Sequence, residues 1–174
     1  MKLIIENIDQ FETISEEVGN KKNMYIRGVF MQANIKNKNG RFYPADILEA
    51  EVNRYIADSV KNSMAMGELN HPPTPSINPE RAAILTTELV REGDDFVGKA
   101  KVLSTPMGTI VRNLIEDGVR LGVSSRGVGQ LREDKSKGVS MVEAFHLCTP
   151  ADVVSNPSAP KAFVRGIMEG VGLS

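Results

Sequence analysis

The sequence has little that would support a disulfide, a metal cluster or a membrane span. Cys148 is its only cysteine, so it can neither close an intrachain disulfide nor supply paired thiols to zinc, and this usage is typical of a reducing interior. No stretch approaches the roughly 18 unbroken apolar residues that a membrane helix needs. The apolar run Leu3–Ile5 stops at an acid, which argues against a signal peptide. We therefore expect an intracellular protein with no membrane partner.

An excess of one charge is also lacking. Twenty-one Lys and Arg residues stand against 22 Asp and Glu residues, for a formal net charge of -1. Without a clustered basic surplus we expect no nucleic-acid partner. There is no His-Glu-x-x-His motif, and the glycine-rich segment 122–129 lacks the Lys-Ser/Thr ending of a phosphate-binding loop. We therefore expect no cofactor and no metal ion.

What remains is the composition of an ordinary globular protein. Its 174 residues are 41% apolar and 25% charged, enough for one domain with a substantial core. The polar and acidic residues 1–23 predict an arm that packs weakly or waits for a partner. Residues 24–165 are predicted to form the main domain, and residues 166–174 a separate end segment.

Hydrophobic periodicity predicts strands and helices in the order β-α-β-β-α-β-β. Pro44 suits the start of a helix that carries one apolar stripe, formed by Leu48, Val52, Tyr55, Ile56 and Val60. Residues 81–90 and 96–103 predict two strands around a turn, and Thr105 can cap a second helix. The last strand is predicted to end near Leu147. Because neighbouring elements are joined by turns, the pattern favours an α+β fold with a mostly antiparallel core and helices outside.

His71 is a candidate general base. It is followed by Pro72 and Pro73, which stiffen the chain beside it. Histidine is the usual base near neutral pH, and a base must be held within hydrogen-bond reach of its nucleophile. The alternative is a solvent-exposed loop histidine. The other histidine, His146, lies late in a strand pattern.

Two adjacent serines in the glycine-rich segment are candidate nucleophiles. Ser124 and Ser125 lie between Gly122 and Gly127, where the backbone can take tight conformations. A serine hydroxyl needs a neighbouring base and donors aimed at the developing oxyanion. Backbone N–H groups around Arg126 and Gly127, helped by the Arg126 charge, would supply them. The alternative is a glycine-rich β-turn, and the spacing differs from the Gly-x-Ser-x-Gly elbow.

Asp152 is the candidate third member of a catalytic group. A buried acid beside the base would hold its tautomer and stabilise the imidazolium. Glu143 and His146 compete for this role, and strand alternation puts them on opposite faces. An Asp before a proline-rich segment is also a common turn former.

Four blocks of sequence, taken together and in this order, resemble the prohead proteases of T4-like phages. The blocks are Asn37-x-Asn39-x-Arg41-x-Tyr43-Pro44, Gly67-Glu-Leu-Asn-His-Pro-Pro73, Gly122-Val-Ser-Ser-Arg-Gly-x-Gly129, and Asp152 followed by Pro157-Ser-Ala-Pro160. They span about residues 24–160. The resemblance implies a serine endopeptidase with a fold related to the herpesvirus assemblins, a small β-barrel-like core wrapped by helices.

The resemblance also implies roles for individual residues. The histidine that matches His71 is the general base, and the serine that matches Ser124 is the nucleophile. Ser125 stays an alternative, because in more distant relatives the serine stands two residues before a glycine. Assemblins use a second histidine, which points to His146, whereas phage relatives use an acid, which points to Asp152; we favour Asp152.

Proteases of this group are similar in cutting after a glutamate that is preceded, two residues earlier, by Leu or Ile. The resemblance implies that the substrates are scaffold or core proteins and the major capsid protein, inside the assembling prohead in the host cytoplasm. It also implies self-cleavage, for which Ile167-Met168-Glu169 fits the pattern, so we expect a cut after Glu169. The same pattern occurs at Ile4-Ile5-Glu6, Ile14-Ser15-Glu16 and Leu114-Ile115-Glu116.

We further expect a homo-oligomer. Two alternative functions stay open at this point. One is a non-enzymatic capsid- or scaffold-binding head protein with the same fold, and the other is an esterase that uses the same serine. Cleavage of a peptide that carries Leu-x-Glu separates both from the protease.

Overall fold

The computed structural model describes residues 2–8, 11–18 and 21–155, and in these residues β-strands predominate. The strands are β1 (Lys2–Ile8), β2 (Glu12–Val18), β3 (Lys21–Gln32), β4 (Arg41–Phe42), β5 (Met66–Glu68), β6 (Ala82–Glu92), β7 (Asp95–Val102), β8 (Gly122–Asp134) and β9 (Val139–Val154). The helices are α1 (Ala45–Tyr55), which continues as a π-helical turn over Ile56–Val60, and α2 (Pro106–Glu116). A 3₁₀ turn, Pro79–Arg81, leads into β6.

The strands form two sheets that enclose the core. One sheet has the order β1-β8-β9-β4, antiparallel except for the short parallel pairing of β4 with β9. The other has the order β2-β3-β7-β6-β5 and is antiparallel throughout. A single parallel bridge between Leu69 and Val153 joins the two sheets just after β5. This junction carries the sequence blocks that hold His71 and Asp152.

The predicted antiparallel core is confirmed, and so are several of its local elements, although the short strands β4 and β5 were not predicted. The hairpin of β6 and β7 and the helix α2 lie where the sequence places them. The Thr105 side chain caps α2 by accepting a hydrogen bond from the Gly108 N–H at 3.0 Å. The expected surround of helices is not found in the described residues: α1 lies against β9 and α2 against β6 and β7.

The weakly packed arm that we expected over residues 1–23 is not what the structure has. β1 pairs antiparallel with β8, and β2 pairs with β3, so this part of the chain contributes a strand to each sheet. Leu3, Ile4 and Ile5 are at most 2% exposed and belong to the core. The sequence alone could not show this, because the partner strand β8 lies more than 100 residues further along the chain.

The last strand is longer than expected. β9 runs to Val154 rather than ending near Leu147, and its pairing with β8 shifts register on both sides of Arg126. The extra residues on β9 are bulges, which bend a strand and re-aim its side chains, often near functional sites. Asp152 therefore lies in a strand, opposite Ser124 of β8, and not in a turn.

Candidate active site

A buried group of charges lies where β5, β8 and β9 meet. Arg126, Asp152 and Glu68 are each 0% exposed. Arg126 Nε donates to Asp152 Oδ2 at 2.9 Å, and its Nη2 donates to Asp152 Oδ1 at 3.0 Å and to Glu68 Oε2 at 2.7 Å. Because a buried charge is costly unless it is paired, the guanidinium and the two carboxylates depend on one another.

All five N–H donors of the Arg126 guanidinium are used inside the protein. Its remaining nitrogen, Nη1, donates to the carbonyl oxygens of Thr74 at 2.9 Å and Ser76 at 3.2 Å. The side chain therefore has no donor left for a substrate oxyanion. The oxyanion role expected from sequence therefore does not fall to the Arg126 side chain, and for the backbone N–H groups of Arg126 and Gly127 it stays a prediction.

The loop that carries His71 is anchored at both ends to this charged group. Before His71, the Glu68 N–H donates to Asp152 Oδ1 at 2.9 Å, and the Asn70 N–H donates to the Val153 carbonyl at 2.7 Å. After it, the carbonyls of Thr74 and Ser76 accept from Arg126. The loop thus brings His71 to the face of the sheet from which the Arg126 and Asp152 side chains project.

Ser124 projects from that same face. β8 pairs with β1 without a register break between Val123 and Gly129, so its side chains alternate regularly. Ser124 and Arg126 therefore share a face, and Asp152 is the cross-strand partner of Ser124. The fold brings the candidate base, nucleophile and acid to one side of the β8–β9 pair.

His71 and Ser124 each bury a polar atom that has no partner in the part of the chain that the structure describes. Ser124 is 0% exposed and His71 7% exposed, and neither Ser124 Oγ nor His71 Nδ1 has a hydrogen-bond partner among the described residues. Their mutual hydrogen bond is therefore not formed through these two atoms in this arrangement. Buried polar atoms without a partner are rare, and catalytic sites are one place where they occur.

Burial also sets the proton affinity of the imidazole. It lowers the pKa of His71 below the ordinary value of 6.5, and the nearby positive charge of Arg126 acts in the same direction. The imidazole is then neutral at neutral pH. A neutral imidazole is the form that can accept a proton from a serine hydroxyl.

Asp152 is engaged with Arg126 rather than with the imidazole. Its two carboxylate oxygens accept the Arg126 bonds and the Glu68 N–H described above. Burial raises the pKa of Asp152 to about 6, and the charge of Arg126 opposes that rise. Asp152 therefore contributes negative charge beside the site, while its orientation is fixed by the arginine.

Ser125 lies on the opposite face of β8. It is 3% exposed and lines a cavity of about 760 Å³ together with Glu6, Tyr43 and Phe145. Alternation therefore separates it from the face that carries Arg126 and Asp152.

The other residues proposed for the site lie apart from the buried group or outside the described residues. His146 is exposed, and so is Glu143, whose carboxylate pairs with Arg132 at 2.5 Å. Glu169 and the segment Pro157–Pro160 lie outside the described residues.

Sequence reasoning missed Glu68 and the pairing role of Arg126. Both residues stand in the sequence blocks that were singled out, within otherwise small or apolar surroundings. Such surroundings predict burial, and buried opposite charges must pair. The burial expected of both residues could therefore have predicted, from sequence alone, an ion pair between Glu68 and Arg126.

Two absences hold for the described part of the chain. No group of three or more His, Cys, Asp or Glu side chains in residues 2–8, 11–18 and 21–155 is arranged to hold a metal ion. Among those same residues, no helix is both long enough and apolar enough to span a membrane.

Comparison with solved structures defines the class of protein. The fold matches that of the bacteriophage T4 capsid assembly protease, gp21, with a TM-score of 0.83 and 37% sequence identity over 90% of this chain and 98% of the T4 chain. The chain is thus a protease of the capsid-assembly class. It belongs to the prohead core protein serine protease family, whose model matches residues 4–171. The prohead core protein protease of Enterobacteria phage T4 is 40% identical over 166 residues, which are 92% of this chain and 77% of the T4 protein.

Proposed function

We propose that the chain is a serine endopeptidase in which His71 removes the proton from Ser124 Oγ. The observation that carries the proposal is a pair of buried atoms without a partner among the described residues, Ser124 Oγ and His71 Nδ1, on the face of the sheet that also holds Asp152. Neutral His71 has the protonation state that this role needs. We also propose that the fold of this chain is related to that of the herpesvirus assemblins.

The reaction follows the general order of acyl transfer. Ser124 Oγ attacks the carbonyl carbon of the scissile bond while its proton moves to His71. Backbone N–H groups of Arg126 and Gly127 hold the oxyanion. The imidazolium then gives its proton to the leaving amine, the C–N bond breaks, and water, activated by His71, releases the acyl group. Asp152 stabilises the imidazolium through its charge.

The proposed substrates are scaffold or core proteins and the major capsid protein, cut after Glu in Leu/Ile-x-Glu sites. The site of action would be the assembling prohead in the host cytoplasm, with the protease as a homo-oligomer. Self-cleavage after Glu169 belongs to the same proposal. An intact segment 170–174 throughout, seen by mass spectrometry of the active enzyme, would refute it.

Peptide cleavage by paired serine variants tests the mechanism. The unmodified chain should cut a peptide that carries Leu-x-Glu. Ser124→Ala should lower kcat/KM by roughly 10⁴-fold or more, as expected for loss of a catalytic nucleophile. Ser125→Ala removes the same hydroxyl one position away on the opposite face, and is the matched comparison. Full activity of Ser124→Ala, or loss in Ser125→Ala alone, contradicts the assignment.

A further inference from the structure

Asn70 has a backbone conformation that few residue types tolerate. Its φ of +66° lies in the left-handed region, where most residues with a Cβ atom are strained and Asn is among the exceptions. It stands directly before His71, the candidate general base. In the part of the chain that the structure describes, two other non-glycine residues share this conformation, Asn34 with φ +57° and Ser63 with φ +54°. Of the three, Asn70 is the one that adjoins the candidate site.

The Asn70 side chain does not explain why an asparagine stands at this position. It is exposed, and among the described residues it has no hydrogen-bond partner. Asn34 differs, because its side chain accepts from the Ala45 N–H at 3.1 Å and donates to Asp94 at 3.2 Å. What Asn70 contributes is therefore its backbone conformation.

The chain that leads into Asn70 is fixed on two sides. Leu69 lies in the parallel bridge to Val153 of β9, and its N–H donates to the Arg81 carbonyl at 3.3 Å. Arg81 Nη2 donates to the Leu69 carbonyl in return, at 2.6 Å. The Asn70 N–H donates to the Val153 carbonyl at 2.7 Å. The direction in which the chain enters Asn70 is therefore set by its neighbours.

The chain that follows Asn70 has little freedom of its own. Pro72 has a fixed φ, and a proline restricts the residue before it, here His71, to extended conformations. His71 can therefore do little to correct the direction from which it arrives. The backbone torsions of Asn70 are thus the ones that aim the imidazole at the face of β8 that carries Ser124.

The burial of His71 leaves little tolerance for a different backbone direction. His71 is 7% exposed and Ser124, its proposed partner, is 0% exposed, so both side chains lie inside the protein. A displacement of about 1 Å in a reacting group can lower a rate by about 10²-fold. A change of Asn70 to extended backbone would move the imidazole by more than that.

We propose that Asn70 is a positioning residue, whose left-handed backbone, rather than its side chain, directs His71 toward Ser124. The inference rests on the proposed role of His71 as the base, because only then does the position of the imidazole control the rate. The position itself can be measured without cleavage.

Histidine NMR measures this position, since His71 and His146 are the only histidines in the sequence. Burial, helped by the charge of Arg126, holds the pKa of His71 below 6.5 in the unmodified chain. Valine is β-branched and resists a positive φ, so Asn70→Val should turn the ring toward solvent and raise this pKa toward 6.5. Asn70→Gly takes the left-handed conformation freely and should keep the pKa low. The His146 signal is the internal reference.

Cleavage of a Leu-x-Glu peptide is the second readout. Asn70→Val should lower kcat by about 10²-fold with KM within about threefold, because the base moves and the contacts to substrate remain. Asn70→Gly should keep most of the activity, which an asparagine that bound substrate through its amide would not allow. Asn70→Ala should lie between the two, and it replaces Asn70→Val if that variant does not fold.

Ser63→Val is the matched control for backbone strain. Ser63 is also exposed and also has a positive φ, but it lies in the turn between α1 and β5. Both valine variants should lower the melting temperature by a similar amount, about 5 °C. Ser63→Val should leave kcat and the His71 signal unchanged.

Three results would overturn the proposal. They are equal losses of kcat in Asn70→Gly and Asn70→Val, equal losses in Ser63→Val and Asn70→Val, and an Asn70→Val variant in which the pKa of His71 and kcat are those of the unmodified chain. A raised pKa of His71 in Asn70→Val without loss of kcat would support positioning by Asn70 and refute His71 as the base. If the unmodified chain cleaves no peptide, the proposed function fails, and the NMR titration still decides the role of Asn70.

Discussion

At Ser124 and His71 two polar atoms are buried without partners among residues 2–8, 11–18 and 21–155. Leaving a buried donor or acceptor unsatisfied costs about 1–3 kcal/mol. In the proposed reaction, Ser124 Oγ and the imidazole satisfy one another when the proton moves. The present arrangement then corresponds to an idle site, in which hydrogen bonds between catalytic groups are open and tighten only when substrate is bound.

The lowered pKa of His71 predicts the pH dependence of cleavage. The base must be neutral, so kcat/KM should rise with pH through the pKa of His71 and level off above it. Because burial places this pKa below 6.5, the acidic inflection should also fall below pH 6.5. Initial rates on a Leu-x-Glu peptide between pH 4 and 8 measure it, with circular dichroism to show that the chain stays folded. An acidic inflection of kcat/KM above pH 6.5, in protein that is still folded, would mean that the pKa of His71 is not lowered and would contradict this prediction.

At the scale of single residues, the sequence was sufficient to select His71 and Ser124 as candidates. The prolines after His71 and the glycines around Ser124 are local signals, and their spacing can be read directly. The sequence could not show that Glu6 has partners 31 to 37 positions away. These partners are the side chains of Asn37, Asn39, Arg41 and Tyr43. Contacts across such distances depend on the sheet, which no local pattern specifies.

Among the elements, β5 is a short strand whose position controls the histidine loop. A Cβ atom at Gly67 would lie 1.9 Å from the Ala151 carbonyl oxygen of β9, so the two backbones approach too closely for any side chain. The next residue, Glu68, donates its N–H to Asp152. The glycine therefore allows β5 to hold the loop against β9.

Gly67→Ala should push β5 away from β9. We expect a loss of about 1–3 kcal/mol in the free energy of unfolding, the usual cost of overpacking, and lower kcat/KM as the histidine loop shifts. Urea denaturation together with peptide cleavage measures both. Met64→Ala nearby is the control, since this side chain is 63% exposed. An alanine at position 67 that leaves stability and activity intact would mean that the β5–β9 contact is dispensable.

Elements with local signals were predicted correctly, whereas those defined by distant partners were not. The hairpin of β6 and β7 has its turn between the strands, and α2 has its cap one residue before it begins. β1 was missed because its partner β8 is distant in sequence, whereas β2 pairs with the next strand, β3, and its polar, acidic sequence gave no strand signal. The end of β9 was missed because bulges interrupt its alternation and β5 covers it.

On the scale of the whole molecule, Arg126 ties together three separate parts of the chain. It bonds to β5 through Glu68, to β9 through Asp152 and to the histidine loop through Thr74 and Ser76. The two sheets meet at the adjacent bridge between Leu69 and Val153. The charged residues at the candidate site therefore also hold the two sheets together.

Removal of Arg126 should destabilise the whole fold. Arg126→Met leaves the buried Asp152 without its cation and leaves Glu68 with Arg81 alone, 3.3 Å away, which costs about 3–5 kcal/mol. Arg132→Met removes an exposed arginine from its pair with Glu143 on the same two strands and should cost at most about 1 kcal/mol. Thermal and urea unfolding compare the two variants. Equal small losses would show that the buried network contributes little to stability.

His71 and Ser124 are proposed to act as one proton-transfer pair, and a double-mutant cycle on kcat/KM tests this most directly. His71→Ala, Ser124→Ala and the double variant are compared on a Leu-x-Glu peptide. If the two residues form a unit, each single change costs roughly 10⁴-fold or more and the double change costs no more than either one. Losses that multiply, or a Ser124→Ala variant that still cleaves at the rate of the unmodified chain, would contradict the account.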